Sequence, residues 1–165
     1  MTISQFPRAK FSDVIETVVR PSSAFANAAD PVTAELLATA RTEAVSLVGV
    51  RQLDVFVDVD AALGASTKLY IKLRFSGKKA PDIATLTDWG FIQIDNINGT
   101  TGFSSVQEYV IEIDLVNANG SPHNAARRYI SRLENVSGRF ASALVWVDNA
   151  GASGTVTFLR QGGGM

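Results

Sequence analysis

The strict alternation of apolar and polar residues over positions 67–75 constrains the fold more than any other feature of this sequence. The apolar side chains occupy every second position, at Leu69, Ile71, Leu73 and Phe75. The positions between them carry Lys68, Tyr70, Lys72 and Arg74. Because successive side chains of a β-strand point to opposite faces, this period of two predicts an antiparallel strand with one face in the core and the other in solvent.

The same period recurs along the rest of the chain. In residues 53–59 an apolar set alternates with a largely acidic one, and the apolar set is Leu53, Val55, Val57 and Val59. Further strands are predicted at residues 91–97, 109–115, 140–147 and 155–160. Roughly eight strands at this spacing predict an all-β fold. The even count and the mixed loop lengths favour an antiparallel, jelly-roll-like two-sheet sandwich over an up-and-down barrel.

Turn residues separate the predicted strands. Asn98-Gly99 and Asn119-Gly120 are typical of type I′ turns, in which both central residues need a positive φ. Residues 148–151, with the sequence Asp-Asn-Ala-Gly, are predicted to join strands 140–147 and 155–160 as a C-terminal hairpin.

The first 30 residues differ from the rest, and we assign them to an extended N-terminal arm. Prolines at intervals favour extended backbone, and the apolar anchors of this segment are Val14, Ile15, Val18 and Val19. Two interpretations stay open: an edge strand that covers the core, or an arm that reaches a neighbouring subunit. Asp30-Pro31 is typical of a helix start, with Asp as N-cap. Residues 31–161 are assigned to the sandwich, and residues 162–165 to a flexible Gly-rich tail.

Composition excludes several function classes. The chain contains no cysteine, which removes disulfides and thiolate chemistry. A net charge of −1 disfavours a nucleic-acid partner. The apolar runs are too short and too interrupted for a membrane span or a secretory leader, so no membrane association is expected.

Candidate catalytic groups are few. His123 is the only histidine and lies in a predicted turn without a second ligand or a triad partner nearby in sequence. Asp54, Asp58 and Asp60 are predicted to share one strand face, where paired acids could hydrolyse glycosides. Cross-strand ion pairs with the basic face of residues 67–75, on the predicted neighbouring strand, are the simpler interpretation. No catalytic residue, metal site or cofactor is therefore predicted, and the chain is not expected to be an enzyme.

Two groups of residues are candidates for binding. If Arg128, Ile130 and Arg132 share a strand face, two guanidinium groups project together and could bind a carboxylate-bearing protein surface, although a solvated face is the alternative. Aromatic residues could form a platform for stacking sugars, and the candidates are Trp89, Phe91, Tyr109 and Trp146.

Both ends of the chain resemble a known class of proteins. The opening Phe6-Pro-Arg-Ala-Lys-Phe11, followed by Val18-Val-Arg-Pro-Ser-Ser-Ala-Phe-Ala-Asn-Ala-Ala-Asp-Pro-Val32, resembles the start of small structural proteins from the head and tail modules of tailed phages. The segments Gly138-Arg-Phe and Gly154-Thr-Val-Thr-Phe are similar to the closing hairpin of their β-sandwich domains. The middle of the chain carries no such resemblance.

The resemblance implies a capsid decoration (cement) protein of the virion, assembled in the host cytoplasm. Such proteins often form trimers over the capsid lattice and clamp capsomers together, so binding across major capsid protein subunits is expected. No functional residue carries over from the resemblance. The arm-and-sandwich layout instead gives the residues expected to contact partners, which are Phe6, Pro7, Phe11, Pro21, Phe25, Trp89, His123, Arg128 and Arg132. A tail or neck component, a carbohydrate-binding module and a small hydrolase with paired acids are the alternatives.

Overall fold

The computed structural model describes residues 14–95, 106–123, 125–134, 136 and 138–162. These residues form twelve β-strands, one short α-helix and two 3₁₀ turns. The strands are β1 (Val14–Ala24), β2 (Ala26–Asn27), β3 (Val45–Ser46), β4 (Val50–Val59), β5 (Lys68–Ser76), β6 (Gly90–Phe91), β7 (Gln93–Asp95), β8 (Val106–Glu108), β9 (Ile111–Asp114), β10 (Arg127–Glu134), β11 (Phe140–Val147) and β12 (Ser153–Gly162). The helix α1 is Pro31–Leu36, and the 3₁₀ turns are Ala38–Ala40 and Leu86–Asp88. The predicted all-β class is confirmed.

Two sheets pack face to face. The first has four antiparallel strands in the order β1-β12-β4-β10. The second has six strands: β2, β11, β5 and β6 follow one another, β3 pairs with β11, and β9 pairs with β5. Short β2 runs parallel to β11, the one parallel pair among the described strands. β7 and β8 form a separate two-stranded ribbon.

The core lies between the sheets and uses the faces that the alternation predicts. The inward set of β4 is buried at all four positions: Leu53, Val55, Val57 and Val59. From β5, Leu69, Ile71 and Leu73 are also buried, and Phe75 is half-buried at the rim. Val156 and Phe158 of β12 lie beside Val57 and Val55 of β4 and add a further row to the same side of the core. Each strand thus contributes one apolar row to a shared interior.

Residues 14–24 of the predicted arm form β1, an edge strand of the four-stranded sheet. Of the expected anchors, Val19 is buried, whereas Val14, Ile15 and Val18 are exposed. The predicted helix start is present, because the Asp30 carboxylate accepts a hydrogen bond from the Thr33 amide at 2.7 Å and caps α1. Residues 1–13 and 163–165 lie outside the described residues.

The predicted C-terminal hairpin is wrong. β11 belongs to the six-stranded sheet and pairs with β5, whereas β12 lies between β1 and β4 in the other sheet. Residues 148–151 therefore carry the chain from one sheet to the other. A run of turn residues predicts a reversal of direction, but it does not determine which sheet the next strand joins.

The predicted ion pairs between the acids of β4 and the bases of β5 are also wrong, because these two strands lie in different sheets. The acids face β10 instead, where Arg132 and Arg128 stand opposite Asp54 and Asp58. The polar face of β5 is covered by other parts of the chain, so that Lys72 and Arg74 are buried rather than solvated.

The turn at Asn119-Gly120 is present in a different form from the predicted type I′. The Gly120 amide donates to the Asn117 carbonyl at 2.8 Å, so Gly120 takes the last turn position, with φ +80°. Asn98-Gly99 lies outside the described residues. None of the described helices is long and apolar enough to cross a bilayer.

Candidate protein interface

The outward side of the four-stranded sheet is a continuous surface, which we call the open face. Residues that are paired between neighbouring strands form straight rows across all four strands, because the register of residues 14–18 with β12, and of β12 with β4 and β4 with β10, is regular over these rows. One row consists of Val18, Thr157, Phe56 and Ile130. The next row consists of Glu16, Leu159, Asp54 and Arg132. Among the described elements, α1 and the 3₁₀ turn at Ala38–Ala40 pack on β11 of the other sheet.

Two bidentate ion pairs fix the charges of the open face. Arg128 donates from Nε and Nη2 to the two carboxylate oxygens of Asp58 at 2.6 and 2.8 Å. Arg132 makes the same pair with Asp54 at 2.9 and 3.0 Å. The guanidinium of Arg128 also lies over the Phe56 ring, with Cζ 5.4 Å from its centroid. Fork-to-fork geometry holds both arginines against the sheet.

The ion pairs also determine what the acids can do. The Arg128 hydrogen bond lowers the pKa of Asp58 below its usual range, against the opposing effect of burial. Asp54 is almost fully buried beneath Arg132 and also accepts hydrogen bonds from the Gln52 amide at 3.2 Å. A general acid needs a protonated carboxyl near neutral pH, and a lowered pKa disfavours that form. The paired-acid hydrolase therefore has no support at Asp58.

Apolar side chains lie between and beside the charges. Val14, Val18 and Ile130 are exposed over 57%, 53% and 59% of their surfaces. Half-buried Phe56 and Leu159 lie between them and line a shallow depression together with Glu16, Arg128 and Thr157. Exposed aliphatic groups on one sheet face, set among arginines, are the composition of a protein-binding surface.

The opposite side of the sandwich is closed. α1 and the turn at Ala38–Ala40 pack over β11, and together with β2 they bury a second apolar cluster that contains Ala34, Ala40, Leu144 and Trp146. Tyr70 stacks on Trp146 with ring centroids 5.3 Å apart. Lys72 is paired with Glu35 of α1 and lies 3.8 Å from the Phe91 ring centroid. This coverage leaves the four-stranded sheet as the side with a free face.

Trp89 is part of this covering layer. Its indole Nε1 donates to the Asp82 carbonyl at 2.8 Å, and the ring lies against the guanidinium of Arg74. Only 7% of its surface is exposed, compared with 1% for Trp146. Of the four aromatic residues predicted to stack sugars, Trp89 and Trp146 are buried, Phe91 is half-buried and Tyr109 is exposed, so they do not form a platform.

The other predicted contact residues fall into different environments. Arg128, Arg132 and Pro21 are exposed on the four-stranded sheet. Phe25 is buried in the main core. His123 is buried, with 8% of its surface exposed, and its Nδ1 lies 2.8 Å from the Tyr129 hydroxyl oxygen.

The remaining three candidates, Phe6, Pro7 and Phe11, lie outside the described residues. The sequence did indicate the β10 part of the open face, through the Arg-x-Ile-x-Arg alternation of residues 128–132. It missed Val14 and Val18 as surface residues, because the apolar residues of the predicted arm were interpreted as its anchors on the core.

Comparisons with known proteins leave the family open. No family model matches this chain. No curated protein matches it. Among solved structures it is similar to the K3 cleaved adhesin domain of Lys-gingipain from Porphyromonas gingivalis, at 13% identity over 85% of this chain and 73% of that one, with a TM-score of 0.40. A similarity of this extent assigns no function.

Proposed function

We propose that this chain is a structural protein of a virus particle, a tailed-phage head decoration protein that binds neighbouring proteins through the open face. The open face is the observation that carries the proposal. It combines exposed Val14, Val18 and Ile130 with two arginines that are already held by ion pairs. The resemblance of both chain ends to phage structural proteins supports the particle context.

The mechanism is adhesive. Covering the open face across a boundary between major capsid protein subunits removes apolar surface from water, at roughly 25 cal/mol per Å². Because the decoration protein binds only the assembled shell, its binding free energy adds to shell stability by mass action. Arg128 and Arg132 lose little conformational freedom on binding, since Asp58 and Asp54 already fix them. A homotrimer over the shell is part of this proposal.

The test is co-sedimentation with phage heads assembled without this protein. We expect the wild-type chain to sediment with the heads and Val18→Lys, which places a charge on the open face, to bind at least about tenfold more weakly. Val48→Lys is the matched control, because Val48 is 80% exposed in a turn away from the open face. Failure of the wild-type chain to sediment with heads, or equal loss in both variants, would overturn the proposal.

Two further measurements distinguish this proposal from the alternatives. Sedimentation with isolated tails rather than heads would assign the chain to the tail or neck. Retention of the chain on a glycan array, undiminished in Val18→Lys, would support the carbohydrate-binding module and contradict a purely adhesive role for the open face.

A further inference from the structure

The four-stranded sheet has a free edge on each side. Among the described strands, β1 pairs only with β12 and β10 only with β4, and the Val19 carbonyl of β1 accepts a hydrogen bond from the Glu43 amide at 2.8 Å. An edge strand exposes a row of unpaired backbone N–H and C=O groups, which is a template for another strand. Both templates belong to the same sheet, so two copies of this chain can meet edge to edge.

Strand direction allows this contact without inverting either copy. The sheet is antiparallel throughout and has four strands, so β1 and β10 run in opposite directions. When β1 of a second copy is placed beside β10, the two strands are therefore antiparallel and the open faces of both copies point the same way. The contact is heterologous, since each copy uses a different edge.

When the rows of the open face continue from β10 of one copy into β1 of the second copy, which we call the level register, the side chains that become neighbours are complementary. Val18 of the second copy then lies beside Ile130, and Glu16 lies beside Arg132. Cross-strand neighbours of this kind, an aliphatic pair and a pair of opposite charge, stabilise antiparallel sheets. A shift by two residues in one direction would place Glu16 beside Glu134, two like charges, and in the other direction it would place Glu16 beside the aliphatic Ile130, so the level register is preferred.

The inward face of the same register is also complementary. Ile15 points towards the interior side of β1 but is 48% exposed, because no strand lies beyond it in the described part of the chain. In the level register Ile15 of the second copy lies beside Leu133. Leu133 lines two adjoining depressions along β10, of about 380 and 430 Å³. The Ile15 side chain would fill part of this space.

We propose that residues 14–18 of one copy add to β10 of the next copy as a fifth, antiparallel strand, with Val18 beside Ile130. The segment is limited at its C-terminal end, because register irregularities follow Val18 and Pro21 lacks an amide hydrogen. A head-to-tail contact of this type closes into a ring or extends into a filament. This inference rests on the proposed function in one respect only: a decoration protein is present on a particle in many copies.

A disulfide provides the test, because the chain has no cysteine of its own. Proteins carrying Val18→Cys and Ile130→Cys are mixed in equal amounts, oxidised mildly and separated without reductant. Adjacent strands place paired Cα atoms about 4.5–5.5 Å apart, within the range that a disulfide requires. Stacking of two open faces would separate them by about 10 Å, which is too far.

We expect a covalent dimer as the main product of this mixture. The matched control is Val14→Cys with Ile130→Cys, because Val14 lies on the same strand and face but about 13 Å further along. Equal yields from both mixtures, no product from either, or a dimer from Val18→Cys alone would overturn the inference.

A chain with both Val18→Cys and Ile130→Cys reports the number of copies. A closed three-chain product supports the inference and the trimer together, whereas a ladder of longer products supports the edge contact and contradicts the trimer. Co-sedimentation with heads is read independently. If the chain binds heads but the cysteine variants give no cross-linked product, the proposed function stands and only the edge contact is overturned.

Discussion

Gly64 and Gly151 are in backbone contact where the chain crosses between the two sheets. A β-carbon on Gly64 would lie 2.6 Å from the Cα atom of Gly151, and one on Gly151 would lie 2.5 Å from the Cα atom of Gly64. The contact is supported by Ser66, whose hydroxyl donates to the Asn149 carbonyl and accepts from the Ala152 amide. Only glycine permits this approach, so the crossing depends on both residues.

Gly151→Ala tests this dependence. Gly151 has a φ of +125°, and a methyl group there would strain the backbone as well as displace Gly64. We expect the free energy of unfolding to fall by about 3 kcal/mol, from the combined cost of strain and overpacking. Urea unfolding measures the loss. Gly77→Ala is the control, expected to stay within about 0.5 kcal/mol of wild type because nothing lies within 4 Å of its Cβ position. Equal stability of Gly151→Ala and wild type would contradict the proposed role of the contact.

Arg74 is a buried cation whose identified contacts are uncharged. Its Nε and Nη2 donate to the Ser142 hydroxyl at 3.2 Å, its Cζ lies 4.6 Å from the Trp89 centroid, and its Nη1 is buried without a hydrogen-bond partner. Burial, aided by nearby Arg41, lowers the pKa of Arg74 to about 10. The unfolded chain therefore binds this proton more tightly than the folded protein does.

Arg74→Met is expected to raise the free energy of unfolding by about 1 kcal/mol at neutral pH, because an apolar side chain of similar length removes the cost of burying the charge. Ser142 keeps its hydrogen bond to the Thr42 carbonyl at 2.9 Å. Between the folded and unfolded pKa values of Arg74, the free energy of unfolding of the wild type rises with pH. The difference in this free energy between Arg74→Met and wild type should therefore narrow above about pH 10. Urea unfolding of both proteins at neutral pH and above about pH 10 checks this expectation. A variant less stable than wild type at neutral pH would show that the cation–π contact outweighs the burial cost.

The Asp58–Arg128 pair gives the protein a specific acid sensitivity. The pKa of Asp58 is lowered mainly by the Arg128 hydrogen bond, so the pair stabilises the fold above the usual aspartate pKa and is lost as the pH falls through the folded value. More than a third of the Asp58 side chain is exposed, and solvent screens the pair. Asp58→Asn should therefore cost only about 0.5 kcal/mol at neutral pH.

The difference between Asp58→Asn and wild type should shrink as the pH falls below the usual aspartate pKa, and it should vanish once the folded Asp58 carboxyl is protonated. It should also shrink in about 1 M salt, which screens an exposed pair. A difference that stays constant in acid would mean that Asp58 acts through packing rather than charge.

Tryptophan fluorescence tests the closed side of the sandwich. Because Trp89 and Trp146 are both buried, emission should be blue-shifted from that of N-acetyltryptophanamide and iodide should quench it weakly. Soluble glycans should leave the spectrum unchanged. Strong iodide quenching of native protein would contradict the burial, and a spectral shift on adding a glycan would reopen the sugar-binding alternative.

The sequence was sufficient to predict the inward faces of the long strands. Leu53 to Val59 and Leu69 to Leu73 alternate strictly, and a period of two has one structural explanation in a chain of this kind. The Asp30 cap was also predictable, since capping depends on residues only three positions apart.

Features that depend on distant parts of the chain were not predictable. Lys72 and Arg74 have the pattern of a solvated face, but α1 and the segment that carries Trp89 cover them, and nothing local encodes that coverage. The partner of β4 was assigned to β5 because the two are adjacent in sequence, whereas β10 lies about seventy residues further on. The open face could be anticipated only on β10, where arginine and isoleucine alternate.

The position of β12 also sets an order for biosynthesis. Of the described strands, β12 is synthesised last, yet it lies between β1 and β4 in their sheet and pairs with both. Val14 pairs with Gln161, so the first described strand must wait for nearly the whole chain before it can join. The β1 part of the open face and the edge along β1 therefore form only after residue 161 has been synthesised, whereas β4 and β10 can pair earlier. A nascent chain that has not reached β12 would lack the ordered β1 edge, one of the two edges through which copies are proposed to associate.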